Sequence, residues 1–411
     1  MQNKRDLLVN LGIVMAFSGV SCMAMVKGLI GQNQQALSII SVIAAVAFMC
    51  RGVNVRRLKI PTREVTLIFI YSAITLFLAF ASDINFMQSG YGFIYQAAYF
   101  IEIILIWNCN SDVDMSKFVS IGFWVCGFAC CIACYLLMKD RSGSLFYNNY
   151  LSSKGDYLFD REATGTISFM AYAMALAYKA RSSTQKILKT IFIAISLLVV
   201  AISSRRSVYV AVAISLLLYL RNTRHTERKN IGQIKMSVLS TKRVGIAIAL
   251  FFLFLMLCRI NTQVGDTVAQ VWMRLWNGIR TLLGVETSDQ SVAMRTSAVS
   301  VALKKWWSGS SIIHFVFGNG YMDSWIDIPL LQAIIDLGIL GGSIYFLCAF
   351  IIPISHLMSG TDSRAIQAAQ YLVALSVTES VANSFPYGHF FTIILLLRLE
   401  QAGKKKLESN S

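Results

Sequence analysis

Charge is scarce in this sequence. Asp, Glu, Lys and Arg make up 14% of its 411 residues, against 56% hydrophobic ones, and no ordinary soluble domain is built this way. Histidine is scarcer still. Of the four, His225 and His356 fall in loops expected on the cytoplasmic side, away from His314 and His389, so a histidine-based metal site is not expected. Missing altogether are a P-loop, a dinucleotide-type glycine turn after a strand, an HExxH pair and paired CxxC motifs with zinc spacing. An ATP-driven pump is therefore unsupported, and no cofactor or metal is expected. There is no tandem repeat of fixed period, no low-complexity segment and no separate soluble domain. Nine cysteines are present, but Cys22, Cys50, Cys126, Cys130, Cys131, Cys134, Cys258 and Cys348 lie inside apolar runs and Cys109 ends one, which makes them packing residues rather than disulfide partners.

What the chain does have is apolar stretches of roughly 17 to 25 residues, the length that crosses about 30 Å of hydrocarbon as a helix. Twelve spans are expected, at roughly 7–30, 36–50, 64–82, 92–109, 117–138, 163–180, 187–203, 207–220, 244–258, 330–355, 365–383 and 387–400. The first has a basic start like a signal peptide, but its apolar run is too long and lacks a small-residue cleavage site, so it reads as an uncleaved helix. The expected fold class is all-α: a polytopic transmembrane bundle with N-terminal membrane helices over 1–258, a large helical loop over 259–329, and C-terminal membrane helices with a basic tail over 330–411. The net charge of +16 invites a nucleic-acid reading, yet the cations sit in short loops between spans: Arg51, Arg56, Arg57, Lys59 and Arg63; Lys179, Arg181, Lys186 and Lys189; Arg221 to Arg243; and Lys404 to Lys406. The preference of cationic loops for the cytoplasm explains them, and nucleic acid is not an expected partner. Both termini are then cytoplasmic.

That orientation puts SSRRS, with Arg205 and Arg206, on the outer side at the turn between spans seven and eight, against the positive-inside bias. Two readings stand: snorkelling to outer-leaflet headgroups, or an anion site facing the outer compartment. On the same side, TVAQVWMRLWNGIRTLLG places Val268, Val271, Trp272, Leu275, Ile279, Leu282 and Leu283 on one helical face, with Arg274, Asn277 and Arg280 turned away. Such a helix lies on the membrane, caps the bundle, or packs as core against another loop helix. A second loop helix, SVAMRTSAVSVALKKWW, carries Arg295 and ends in Trp306 and Trp307, read either as an interfacial belt or as a sugar platform. The turn FGNGY and the segment DSWIDIPLLQAIIDLGILGG follow. The outer side thus collects Arg205, Arg206, Arg274, Arg280 and Arg295 with Asp323, Asp327 and Glu379. Guanidinium forks suit phosphate and diphosphate oxygens without a metal, and a neighbouring carboxylate can take a proton from a sugar hydroxyl. Glu379 reads equally as a cap or the partner of a nearby polar group, and Asp336 as a structural residue near a helix end.

These motifs, in this order, resemble the O-antigen polymerase and O-antigen ligase superfamily. There, a span ends in a Ser-Arg dipeptide on the periplasmic side. A large periplasmic loop carrying an arginine follows, then a Gly-x-Gly turn, then a His- or Asp-led segment running into an x-Gly-Ile-x-Gly helix. Here the corresponding residues are Ser204 and Arg205, Arg295 in MRTSAV, Gly318 and Gly320 in FGNGY, and Asp327 and Gly338, over roughly residues 187 to 355. The resemblance implies a GT-C-like membrane glycosyltransferase of the bacterial inner membrane that works on undecaprenyl-diphosphate-linked glycans at the periplasmic face. It implies a diphosphate site drawn from Arg205, Arg206, Arg295 and Arg280, with Arg295 and Asp327 as catalytic residues and Glu379 and His389 as acceptor-binding candidates. A chain-length regulator and a flippase are the implied protein partners. Where ligases carry histidine then asparagine, this chain has Asp327 then Ile328, which points to a Wzy-type polymerase of O-antigen, capsule or exopolysaccharide rather than to a ligase acting on lipid A core. The rival from another class is a flippase or transporter of lipid-linked repeats, whose binding residues belong near the midplane of two related halves.

Overall fold

The computed structural model describes residues 2–30, 34–54, 58–81, 91–139, 161–203, 205–230, 273, 297, 299–304, 306–307, 312–318, 320, 326, 328–381 and 390–408. Among them regular structure is helical, with one isolated bridge between Val53 and Cys109. The helices are α1 (Gln2–Ile30), α2 (Gln34–Cys50), α3 (Arg63–Ala81), α4 (Tyr91–Asn108), α5 (Phe118–Lys139), α6 (Arg161–Ala177), α7 (Ser183–Ser203), α8 (Arg206–Asn230), the short α9 (Ile312–Phe317), α10 (Pro329–Phe346), α11 (Ile352–Leu357), α12 (Arg364–Glu379) and α13 (Phe391–Glu408). Eleven of the twelve expected spans fall on these helices; the segment 244–258 lies outside the described residues. Five stretches, beginning at Gln2, Arg63, Met115, Ser183 and Pro329, are long and apolar enough to cross a membrane.

Apolar side chains point outward at three- and four-residue spacing. Ile70, Ile74, Phe77 and Phe80 do so on α3, Ile187 and Ile191 on α7, and Leu216, Leu217 and Leu220 on α8. In water such stripes would demand a partner; in a bilayer, lipid supplies it. This is the surface of a helical membrane protein.

Inside this shell α6 and α12 are enclosed over most of their length. From Ala163 to Ala177 only Thr166 is not fully buried, and on α12 Gln367 to Leu375 are buried without a break. Helices apolar on all sides belong in the middle, and α6 and α12 pack against each other there.

One end of the bundle is heavily cross-tied. Arg5 binds Asp112 at 2.6 Å, and Arg398 and Lys59 both donate to the carbonyl of Cys109. Arg221 donates to the Ser359 carbonyl at 2.9 Å, and the buried Asn222 amide to Gln370 Oε1 at 3.1 Å. His356 lies between Glu400 (Nδ1 to Oε2, 2.6 Å) and Glu64 (Nε2 to Oε2, 3.4 Å). These ties join the start of α1, the α2–α3 and α4–α5 loops, the later part of α8, the α11–α12 turn and α13, which must share one end if successive long helices alternate in direction. Arg205 therefore lies at the other end.

The tenth expected span departs from a plain helix in two places. At Gly338 the backbone takes φ 68°, ψ −174°, breaking α10. Below it a π-turn over Leu347–Ile351 precedes α11, which holds Pro353 in its first turn, where the missing N–H is least costly. The break at Gly338 has a visible cause. α9 ends at Gly318 (φ 83°), and a Cβ at Gly318 would stand 2.1 Å from the Asp336 carbonyl oxygen; one at Gly338 would stand 2.2 Å from the carbonyl oxygen of Val316. The two backbones cross where only hydrogen fits.

Residues 299–304, 306 and 307 are helical, within the expected second loop helix; the first, apart from Met273, lies outside the described residues. The paired tryptophans divide. Trp306 is buried and stacks on Phe315 with centroids 5.0 Å apart, whereas Trp307 is 74% exposed.

Candidate anion site where α8 begins and α12 ends

Arg205 is the residue from which α8 starts. Its carbonyl accepts the amides of Val208 (3.2 Å) and Tyr209 (3.3 Å), while the Ser203 hydroxyl turns back onto the Val200 carbonyl at 2.9 Å and closes α7. The side chain does not reach outward. Its Nη2 lies 3.0 Å from Oε1 of Glu379, and its Nη1 donates to the hydroxyl of Thr166. The two charged side chains are 13% and 24% exposed. The stem of Arg205 crosses α6 over Gly165, where an added Cβ would come within 3.3 Å of its Cδ and 3.2 Å of the Ser203 hydroxyl. Gly165 thus leaves room for the arginine, and Thr166 beside it fixes one nitrogen of the fork.

Helix electrostatics make the placement unusual. Arg205 stands at the start of α8 and Glu379 at the last residue of α12. The partial charges of a helix favour anions at its start and cations at its end, so each residue occupies the end that suits its opposite. Each relieves the other. A guanidinium held at a helix start also offers an incoming anion the arginine fork and the unpaired amides of a first helical turn.

Below the pair, the Ser376 and Thr392 hydroxyls are 2.7 Å apart and join α12 to the start of α13, and Ser380 bonds back to the Ser376 carbonyl at 2.8 Å. The end of α12 is therefore tied down close to Glu379.

Two sequence candidates, Arg205 and Glu379, meet here. Arg206 begins α8, but its side chain, together with Arg280, Arg295, Asp323, Asp327 and His389, lies outside the described residues. The neighbours of Asp327 are placed: Ile326 is buried and donates its amide to Gln332 Oε1 at 2.7 Å, and Gln332 gives its amide nitrogen to both oxygens of Asp336 at 2.8 Å. Asp336, fully buried at the Gly318–Gly338 crossing, is a structural residue. Gly165 and Thr166 were not among the expected site residues. Their signal is the trio Thr164, Gly165, Thr166 in the otherwise apolar start of a span, where polar side chains carry a cost.

Among the described residues no cluster of three His, Cys, Asp or Glu side chains could hold a metal ion. The chemistry on offer is electrostatic: one fixed guanidinium, the carboxylate paired with it, and a hydroxyl between helices. No protein-family model matches this chain, and no curated protein matches it either.

Proposed function

We propose that this chain is a polysaccharide polymerase of the bacterial inner membrane, a GT-C-like bundle of about twelve spans with its site on the periplasmic face. It transfers a growing O-antigen, capsule or exopolysaccharide glycan from undecaprenyl diphosphate to a lipid-linked repeat unit. The observation that carries the reading is Arg205, placed against the helix dipole of α8 and oriented by Thr166 and Glu379. The diphosphate is already a good leaving group if its developing charge is met, and preorganised cations in a water-poor site do this far better than bulk water. Arg205 and Arg295 meet that charge, with Arg206 and Arg280 as further diphosphate ligands. Asp327 orients the acceptor hydroxyl, with Glu379 and His389 on the acceptor side. No nucleotide sugar, ATP or metal takes part.

The test is a deletion strain complemented with Arg205→Ala or Arg295→Ala at normal expression. Loss of polymer ladders is expected; full-length ladders from either variant refute the diphosphate clamp. The same strain distinguishes the acceptors, since a polymerase mutant leaves core plus one repeat and a ligase mutant leaves bare core. A flippase is disfavoured by the position of Arg205 and Glu379 at helix ends rather than at mid-span.

A further inference from the structure

We propose that Glu379 is the proton acceptor of the transfer step, kept in reserve as the counter-ion of Arg205 until a lipid diphosphate takes that arginine over. The inference rests on the reading of Arg205 as a diphosphate ligand.

The geometry supplies the exchange. Glu379 Oε1 occupies one of the positions around Nη2 of Arg205 that a phosphate oxygen would use, at 3.0 Å. The arginine cannot easily follow a departing partner. Its stem is wedged over Gly165, its backbone begins α8, and Thr166 holds its Nη1 from a buried helix. The glutamate can move, because it sits on the last residue of α12 with three rotatable side-chain bonds, and its side chain is the more exposed of the two. A diphosphate arriving at Arg205 therefore displaces the carboxylate, not the guanidinium.

The same exchange changes what Glu379 can do. Once displaced from Nη2, its carboxylate lies beside the diphosphate that Arg205 has taken over, at the end of α12. That places a proton acceptor next to the leaving group, where the attacking hydroxyl must shed its proton, which is what a general base requires. The base is thus switched on by arrival of the donor.

The step balances without a co-reactant. The acceptor hydroxyl oxygen forms a bond to the anomeric carbon, and the bond from that carbon to the diphosphate oxygen breaks. The electron pair leaves with the diphosphate, onto Arg205, and the hydroxyl proton passes to Glu379. Asp327 keeps its part in orienting the acceptor.

The experiment uses the full chain in lipid nanodiscs, with undecaprenyl diphosphate as the binding probe and a lipid-linked repeat as the transfer substrate. Removing the competing charge in Glu379→Gln should tighten undecaprenyl diphosphate binding by about 3- to 30-fold and slow transfer by about 100-fold or more. Glu379→Asp should keep wild-type binding and measurable transfer. Transfer by the wild type should fall on the acid side of its pH profile, and residual transfer by Glu379→Gln should be flat there. A structural ion pair predicts the opposite coupling, with binding and transfer weakened together. The proposal is overturned if Glu379→Gln binds no tighter, or transfers within about threefold of wild type. If that variant does not fold, Glu379→Asp decides: an acid limb unchanged from wild type overturns the assignment. Wild type that fails to bind undecaprenyl diphosphate at all overturns the diphosphate reading itself, and this inference with it.

Discussion

Replacing Gly318 with alanine should destabilise the protein through a contact that no side chain can relieve. Two costs add. The backbone at φ 83° is left-handed, which an alanine accepts at about 1–2 kcal/mol. The new methyl would also lie 2.1 Å from the Asp336 carbonyl oxygen and 2.5 Å from the Gly338 nitrogen, both backbone atoms of the α10 break. Forcing them apart falls in the range of core overpacking, about 1–3 kcal/mol, for a total of about 2–5 kcal/mol. Gly320 provides the internal control, because it too has positive φ (108°), yet a Cβ there meets nothing within 4 Å. Gly320→Ala should therefore carry the conformational cost alone. The assay is thermal unfolding of both variants in one detergent at one scan rate, followed by tryptophan fluorescence, with Trp306 packed against this crossing as an internal reporter. Gly318→Ala should unfold at the lower temperature. Combining it with Gly338→Ala should cost less than the sum, because both methyls strain the same crossing. Equal midpoints for Gly318→Ala and Gly320→Ala would refute the argument.

Gly165→Leu should weaken undecaprenyl diphosphate binding by about tenfold or more, because it displaces the Arg205 stem without altering any charge, while Gly165→Ala, whose methyl meets neighbours at 3.2–3.4 Å, should be mild; calorimetric titration of both reads the difference. Gln370→Leu should cost about 1–3 kcal/mol in thermal unfolding by removing two bonds at once, the one it accepts from the buried Asn222 amide and the one it donates to the Ser359 carbonyl, and adding Asn222→Leu should cost less than the sum of the single changes, because the two residues share a bond. The Arg5 hydrogen bond holds the Asp112 carboxyl below the usual carboxylate range. Its folded value is thus lower than its unfolded one, so the pair stabilises at neutral pH and that contribution is lost as the pH falls through the carboxylate range towards the lowered value. Exposure limits the effect to under about 1 kcal/mol, and Asp112→Asn should remove that part of the acid-side decline in unfolding temperature.

The helices were largely legible because an apolar run of membrane length is a local property. The run expected at 64–82 is α3 at Arg63–Ala81, and 117–138 is α5 at Phe118–Lys139. Legibility fails where hydropathy and helicity part. α8 continues from the expected end at 220 through RNTRHTERKN to Asn230, since most of these residues propagate a helix whether or not lipid surrounds them. It fails again at Gly338, where the break is dictated by α9 crossing from elsewhere in the chain. At the site, Arg205 stood out as a cation expected at the opposite end of its span from the basic loops, and Glu379 as a carboxylate near the end of a span. Their pairing, and the parts of Gly165 and Thr166, depend on α6, α8 and α12 converging, which no local pattern encodes. Trp306 and Trp307 make the point in small: neighbours in sequence face about 100° apart on a helix, so one is buried and stacks flat on Phe315 while the other meets the same ring only edge-on and stays exposed.

The enclosure of α6 and α12 bears on how the protein meets bilayers of differing thickness. Hydrophobic mismatch acts through helices that touch acyl chains, tilting them or thinning the lipid around them. Thr166 and Glu379 ride on two helices shielded from that pressure, so the spacing between them is set by protein against protein. A hydroxyl and a carboxylate suspended this way should keep their register in short-tailed and long-tailed membranes alike, while the outer helices do the accommodating.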